Sequence, residues 1–159
     1  MMYEIVPITD EYRAIVDSQI AENWAGPFIV SRGILHDTRE QQGFVAICSG
    51  EIVGYILYCV AHGEYEITVV ESLRQKQGIG TALIGAVVQV AKEADCKRVW
   101  LVTTNDNTPA IRFYQRYGFA LKAVHINSMA ESRLLKPQIP LVGFDGIPIA
   151  HEFEFEMFV

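Results

Sequence analysis

The run TALIGAVVQVAKEA, which follows QKQGIG, constrains this fold more than any other part of the chain. From Gly80 to Ala94 the apolar residues Leu83, Val87, Val90 and Ala94 recur at helical spacing, and Ala82, Ile84, Ala86 and Val88 widen the stripe well beyond one narrow face. Such a helix is largely buried and needs a broad apolar surface to lie on. The material for one stands just upstream. GFVAICSGEIVGYILYCV is a hairpin signal, with β-rich runs Gly43–Cys48 and Ile52–Val60 joined at SGE, and YEITVVES adds a further strand.

The flanking segments extend the pattern. MYEIVPI reads as a short strand, followed by a helix capped at Thr9 or Asp10 that runs to about Glu22. GPFIVSRGILHD is ambiguous and is assigned a loop with a short helix. KRVWLVTT is a compact apolar strand, NTPAIRFYQRYG a helix with Pro109 in its first turn, and FALKAVHI another strand. The tail HEFEFEMFV alternates as a half-buried strand does. The order predicts one α+β domain over residues 1–159, with antiparallel strands first and a parallel crossover in the second half.

Composition narrows the function. A formal charge of −6 argues against nucleic acid as the main partner, because phosphate neutralisation needs a basic face. The apolar run Val53–Ala61 is far short of the roughly 20 residues of a membrane-spanning helix, and the first residues are acidic where a secretory signal is basic. The three cysteines, Cys48, Cys59 and Cys96, are odd in number and lack CxxC spacing, as expected of reduced thiols in a cytoplasmic protein. The histidines show no HxxxH spacing, so no metal is assigned.

The glycine turn carries the first chemical signal. A strand feeding a helix through such a turn leaves amides unpaired at the positive end of the helix dipole. Gly78 and Gly80 let the backbone approach a ligand, and Arg74 and Lys76 add positive charge, so a phosphate group is the natural guest. An ordinary turn with solvated basic residues explains the stretch equally well. GxxxxGK[ST] is absent, and the dinucleotide fingerprint would need glycine at Leu83, which weakens a nucleotide-binding reading.

One strand further on, the spacing N-x-x-A-x-x-F-Y-x-x-x-G-F runs from Asn107 to Phe119. With Gln75, Gly78 and Gly80 matching [QR]-x-x-G-x-[GA], the chain resembles the GNAT acetyltransferase superfamily in detail from Gly43 to Phe119. Ser72 and Lys76 depart from the usual Pro and Gly. The resemblance implies a strongly twisted mixed sheet of about seven strands flanked by about four helices, and an N-acetyltransferase that moves acetyl from acetyl-CoA to a primary amine of a small-molecule acceptor. It implies that Val69 and Val70 bond the pantetheine arm, that Gln75, Lys76, Gln77, Gly78, Ile79, Gly80 and Thr81 hold the diphosphate, and that Asn107, Ala110 and Phe113 lie along the same ligand. For Asn107, simple helix capping is the competing role.

The resemblance points the Tyr114 hydroxyl at the thioester sulfur as general acid, where packing alone would make it a core aromatic. Glu66 is the candidate base, with Glu64, of the same side-chain parity, or a water chain as alternatives. Trp24, Phe28 and Arg32 are candidate acceptor contacts, and Asp145 or Glu152, Glu154 and Glu156 are acids that a cationic amine would meet unless that strand face is merely solvated. A covalent acyl-cysteine route is disfavoured, since neither Cys59 nor Cys96 stands directly beside an activating histidine in sequence. A catalytically silent acyl-CoA-binding module is the alternative function, and pairing of the terminal strand across a homodimer is a further expectation.

Overall fold

The structure, a computed structural model, describes residues 2–159. The chain opens with β1 (Glu4–Pro7) and α1 (Asp10–Asn23), then a hairpin of β2 (Phe28–Ser31) and β3 (Ile34–Asp37). A 3-10 turn leads into the meander β4 (Gln42–Cys48), β5 (Glu51–Ala61) and β6 (Glu64–Ser72). After these come α2 (Ile79–Glu93), β7 (Arg98–Thr104), α3 (Thr108–Tyr117), β8 (Ala120–His125), α4 (Ser128–Leu135) and β9 (Glu152–Phe158). Seven strands form one mixed sheet in the order β1-β4-β5-β6-β7-β9-β8, and β2 with β3 make a separate ribbon.

The strand β5 is central and covered on both sides, which is why its sequence is an almost unbroken apolar run. Ile56 packs with the buried residues Ile79, Leu83, Ile84 and Val87 of α2, whereas its neighbours Tyr55 and Leu57 turn to the opposite face and meet Val16 and Ile20 of α1. Helix α3 adds Tyr114 to the α2 side.

Two departures from regular pairing create a gap in this sheet. Along β5 and β6 the register passes from Leu57↔Val69 to Tyr58↔Ile67, so Thr68 is an extra residue in β6. Ile67 and Val69 consequently pack on opposite faces, although two residues apart on a regular strand share one. Strands β6 and β7 are parallel neighbours only at Tyr65↔Val99 and Glu66↔Trp100. Beyond Glu66 they part.

Three expectations need correction. GPFIVSRGILHD is a hairpin, not a loop with a short helix. Arg32 (φ 50°) and Gly33 (φ 75°) both take left-handed angles, the geometry of a two-residue turn between twisted strands. The terminal strand β9 is not an edge available for a dimer; it lies between β7 and β8, so the sheet's edges are β1 and β8. Its acidic face is not simply solvated either: Glu152 and Glu154 are 2% and 8% exposed, and Arg98 bonds both Glu154 (3.2 Å) and Glu156 (2.7 Å). Between β8 and β9 the chain also forms α4, which was not foreseen. No helix among the described residues is long and apolar enough to cross a membrane.

Candidate active site

At the glycine turn, Gly78 is the N-cap of α2 with φ 71° and ψ 14°, a left-handed conformation that favours glycine. Lys76 is also left-handed (φ 61°). The Tyr3 hydroxyl donates to the Gln77 carbonyl at 3.1 Å and pins the turn to the N-terminal segment. The first bond of the helix runs from Ala82 N to Gly78 O (3.0 Å), so the amides of Ile79, Gly80 and Thr81 have no helical acceptor. Gln75 to Gly78 and Thr81 are exposed. Gly80 has a different reason to be small: a Cβ there would stand 3.3 Å from the Phe113 ring, which packs against the first turn of α2.

On the α1 side of the sheet, the gap between β6 and β7 opens into a cavity of about 590 Å³. Its wall includes Trp24, Ser31, Glu66, Asp106, Lys136 and Glu152. Glu66 is 6% exposed. The Ser31 hydroxyl donates to its Oε2, while the Cys59 thiol lies 3.9 Å and His36 Nε2 3.7 Å from its Oε1. Burial raises the Glu66 pKa, the bonds from Ser31 and Cys59 pull it partly back, and the nearby charges of Glu152 and Glu154 push it up again. Burial lowers the pKa of His36, whose Nε2 has no hydrogen-bond partner. Glu64 is committed elsewhere, in an ion pair with Arg98 (3.0 Å).

Tyr114 lies on the other face of the sheet, in the core beneath α2. It is buried among Phe113, Phe119 and Phe155 with ring centroids 5.5 to 6.3 Å away, and it does not line the cavity. Burial holds its pKa well above the ordinary phenol range, with the Glu71 carboxylate adding to the effect. Val69 and Val70 pair with β5 through Leu57 and Ile56 and lie beyond the last rung shared with β7. Asn107 caps α3, its Oδ1 accepting from Ala110 N at 3.3 Å, and also lines the cavity.

Of Trp24, Phe28 and Arg32, only Trp24 is in the cavity wall, and of the candidate acids Glu152 lines it while Asp145, Glu154 and Glu156 do not. The Phe28 ring stacks under the Arg39 guanidinium (5.6 Å), and Arg32 sits in the hairpin turn with its Nε 3.7 Å from Glu154 Oε1. Neither residue belongs to the lining.

Several residues of the site were invisible in the sequence. Ser31 and His36 come from the unforeseen hairpin, and Lys136 donates from Nζ to the carbonyls of Trp24 and Phe28, 112 and 108 residues away. His36, Cys59 and Glu66 bring nitrogen, sulfur and oxygen within 4.8 Å of one another, a trio that linear spacing cannot reveal. Burial and the Glu66 charge push the Cys59 thiol up to about 11, so it stays protonated near neutrality and is a poor nucleophile or metal ligand. Asp106, in NDNTP beside the Asn107 cap, was within reach of sequence reasoning but was passed over.

Known proteins share this fold. The profile of the acetyltransferase (GNAT) family matches residues 8–119. Protein YdhI of Bacillus subtilis is 40% identical over 156 residues, covering 97% of both chains. The spermine/spermidine N(1)-acetyltransferase of the same organism is 27% identical, over 75% of this chain and 88% of its own. In structure, a GNAT family acetyltransferase from Elizabethkingia anophelis with acetyl-CoA bound superimposes with a TM-score of 0.71 at 20% identity, covering 99% of this chain and 98% of the other. With its parted parallel strands and open helix start in the matched region, the chain belongs to the GNAT acetyltransferase family.

Proposed function

We propose that the protein is an N-acetyltransferase that transfers the acetyl group of acetyl-CoA to a primary amine of a small-molecule acceptor, by direct attack in a ternary complex. One observation carries the reading: β6 and β7 separate just past Glu66, between the free amides at the start of α2 and a cavity walled by a buried carboxylate. The same gap gives the two substrates a place to meet.

The amides of residues 75–81 hold the diphosphate, and the α2 dipole contributes about 0.3–1 kcal/mol per contact. The pantetheine arm takes up the unpaired β6 backbone at Val69 and Val70, as an added strand would. The acceptor enters from the cavity. Its nitrogen forms the new bond to the acetyl carbon, the carbon–sulfur bond breaks, and the amine proton passes to Glu66 directly or through water. Tyr114 returns a proton to the departing thiolate. Its raised pKa keeps the hydroxyl protonated until that moment, and the raised pKa of Glu66 narrows the mismatch between an ordinary carboxylate and an alkylammonium. A water relay through the Ser31, His36 and Glu66 cluster suits the remaining difference.

Thiol release from acetyl-CoA across a panel of amines tests this directly. Turnover with at least one primary amine is expected, and Tyr114→Phe and Glu66→Gln each lower kcat by about 10²-fold or more, as loss of a general acid or base does. Tight CoA binding without turnover on any amine would instead identify a silent acyl-CoA-binding module.

A further inference from the structure

The cavity wall holds three carboxylates, Glu66, Asp106 and Glu152, and one cationic side chain, Lys136. The Lys136 ammonium is spent on the carbonyls of Trp24 and Phe28 and neutralises none of the three. Glu152 and Asp106 are 2% and 3% exposed. Each has one oxygen tied to a backbone amide: Glu152 Oε2 accepts from Arg32 N and Asp106 Oδ2 from Phe144 N, both at 3.2 Å. The other oxygen of each, Glu152 Oε1 and Asp106 Oδ1, is buried without a hydrogen-bond partner.

A buried carboxylate oxygen left unpaired is costly, and the usual remedy is a cation or a charged donor. Among the described residues nothing supplies either at these two atoms. Neighbouring residues of the β2–β3 hairpin link the site together, since Ser31 bonds Glu66 while Arg32 N bonds Glu152. The carboxylate beside the reacting nitrogen and the carboxylate of Glu152 are thus held by consecutive residues in one wall.

The attacking nitrogen must be neutral when it reacts, so two further acids gain nothing from it. They suit a group that stays protonated throughout. We infer that the cavity is built for an acceptor with a second, non-reacting ammonium, held by Glu152 and Asp106 while its primary amine stands at Glu66. This rests on the acetyltransferase reading and narrows its substrate class from amines in general to small di- or polyamines.

The test compares 1,4-diaminobutane and spermidine with butylamine and 4-aminobutan-1-ol, which keep the reacting amine and lack the second charge. A kcat/KM at least about tenfold higher for the charged pair is expected, and Glu152→Gln and Asp106→Asn each reduce that preference by about tenfold, the low end for losing a desolvated charge pair. Calorimetric titration of the same four amines into CoA-loaded protein gives a readout independent of turnover, with tighter binding of the diamine that Glu152→Gln weakens. Equal kcat/KM for diaminobutane and butylamine overturns the inference, as does a Glu152→Gln loss shared equally by all four amines, or a clear preference for peptide N-termini. If no amine is acetylated but CoA-loaded protein still selects the diamine, the transfer reading fails and the cation site stands. If amines are acetylated without selection, the reverse holds.

Discussion

Replacing Lys136 with methionine tests how the acceptor cavity is held together. Its ammonium joins three elements at once: it follows the end of α4, and it donates to carbonyls at the end of α1 and the start of β2. The side chain is 8% exposed, so water does not replace it readily. Two hydrogen bonds from a charged donor are worth about 1.5–3 kcal/mol each, and the carbonyls left behind lose those partners. Methionine fills much of the same space and removes the burial of a charge, a cost visible in the lowered pKa of Lys136. We expect a net loss of about 2–4 kcal/mol. For 159 residues at about 2.1 cal/mol/K each, the unfolding entropy is about 0.33 kcal/mol/K, so Tm falls by about 6–12 °C. Calorimetry of both proteins checks this, and the acceptor KM should rise because Trp24 stands on the same wall. The sign with pH is also determined. Because the folded pKa is depressed, the unfolded chain binds the proton more tightly, and wild-type stability gains as pH climbs toward the ordinary lysine range. The gap to Lys136→Met therefore widens on the alkaline side. An unchanged or higher Tm for the variant would refute the clamp.

Other outcomes follow from the glycine turn and the buried base. At Gly78 the obstacle to a side chain is backbone angle rather than space, since a Cβ would meet only the Tyr3 hydroxyl at 3.6 Å. Gly78→Ala should cost about 1–2 kcal/mol and Gly78→Asn less, because asparagine tolerates the left-handed region; thermal melts giving the two equal Tm values would contradict this. For Glu66, whose folded pKa is raised, ionisation costs stability as pH climbs above the unfolded value, so the Tm advantage of Glu66→Gln over wild type should grow from pH 4 to pH 8. In kinetics, kcat/KM for one fixed amine should show a low-pH inflection above about 4.3, the ordinary glutamate value. Glu66→Gln should leave only the acceptor's own ionisation; persistence of the inflection would remove Glu66 as the base.

What the linear order determined is the part of the fold driven by local periodicity and strong burial. The helix apolar on most of its faces, the meander before it and the glycine turn between them could be placed because each is written in consecutive residues. The same holds for α3, whose Pro109 and Asn107 mark its start. The hairpin at GPFIVSRGILHD escaped because four-residue strands carry too few alternations to outweigh a loop, and its turn rests on a left-handed arginine that no propensity signals. The site itself was decided in three dimensions. Glu66 could be named from its strand, yet its partners Ser31, His36 and Cys59 reach it from other strands and from up to 35 residues away. Glu152 could not be told from a solvated strand residue until the sheet order placed β9 inside, and nothing marked Asp106 until the loop at Phe144 closed over it. Burial, and with it the shifted pKa of a carboxylate or the unpaired oxygen of another, depends on what covers a residue, and only the folded chain brings the covering segments together.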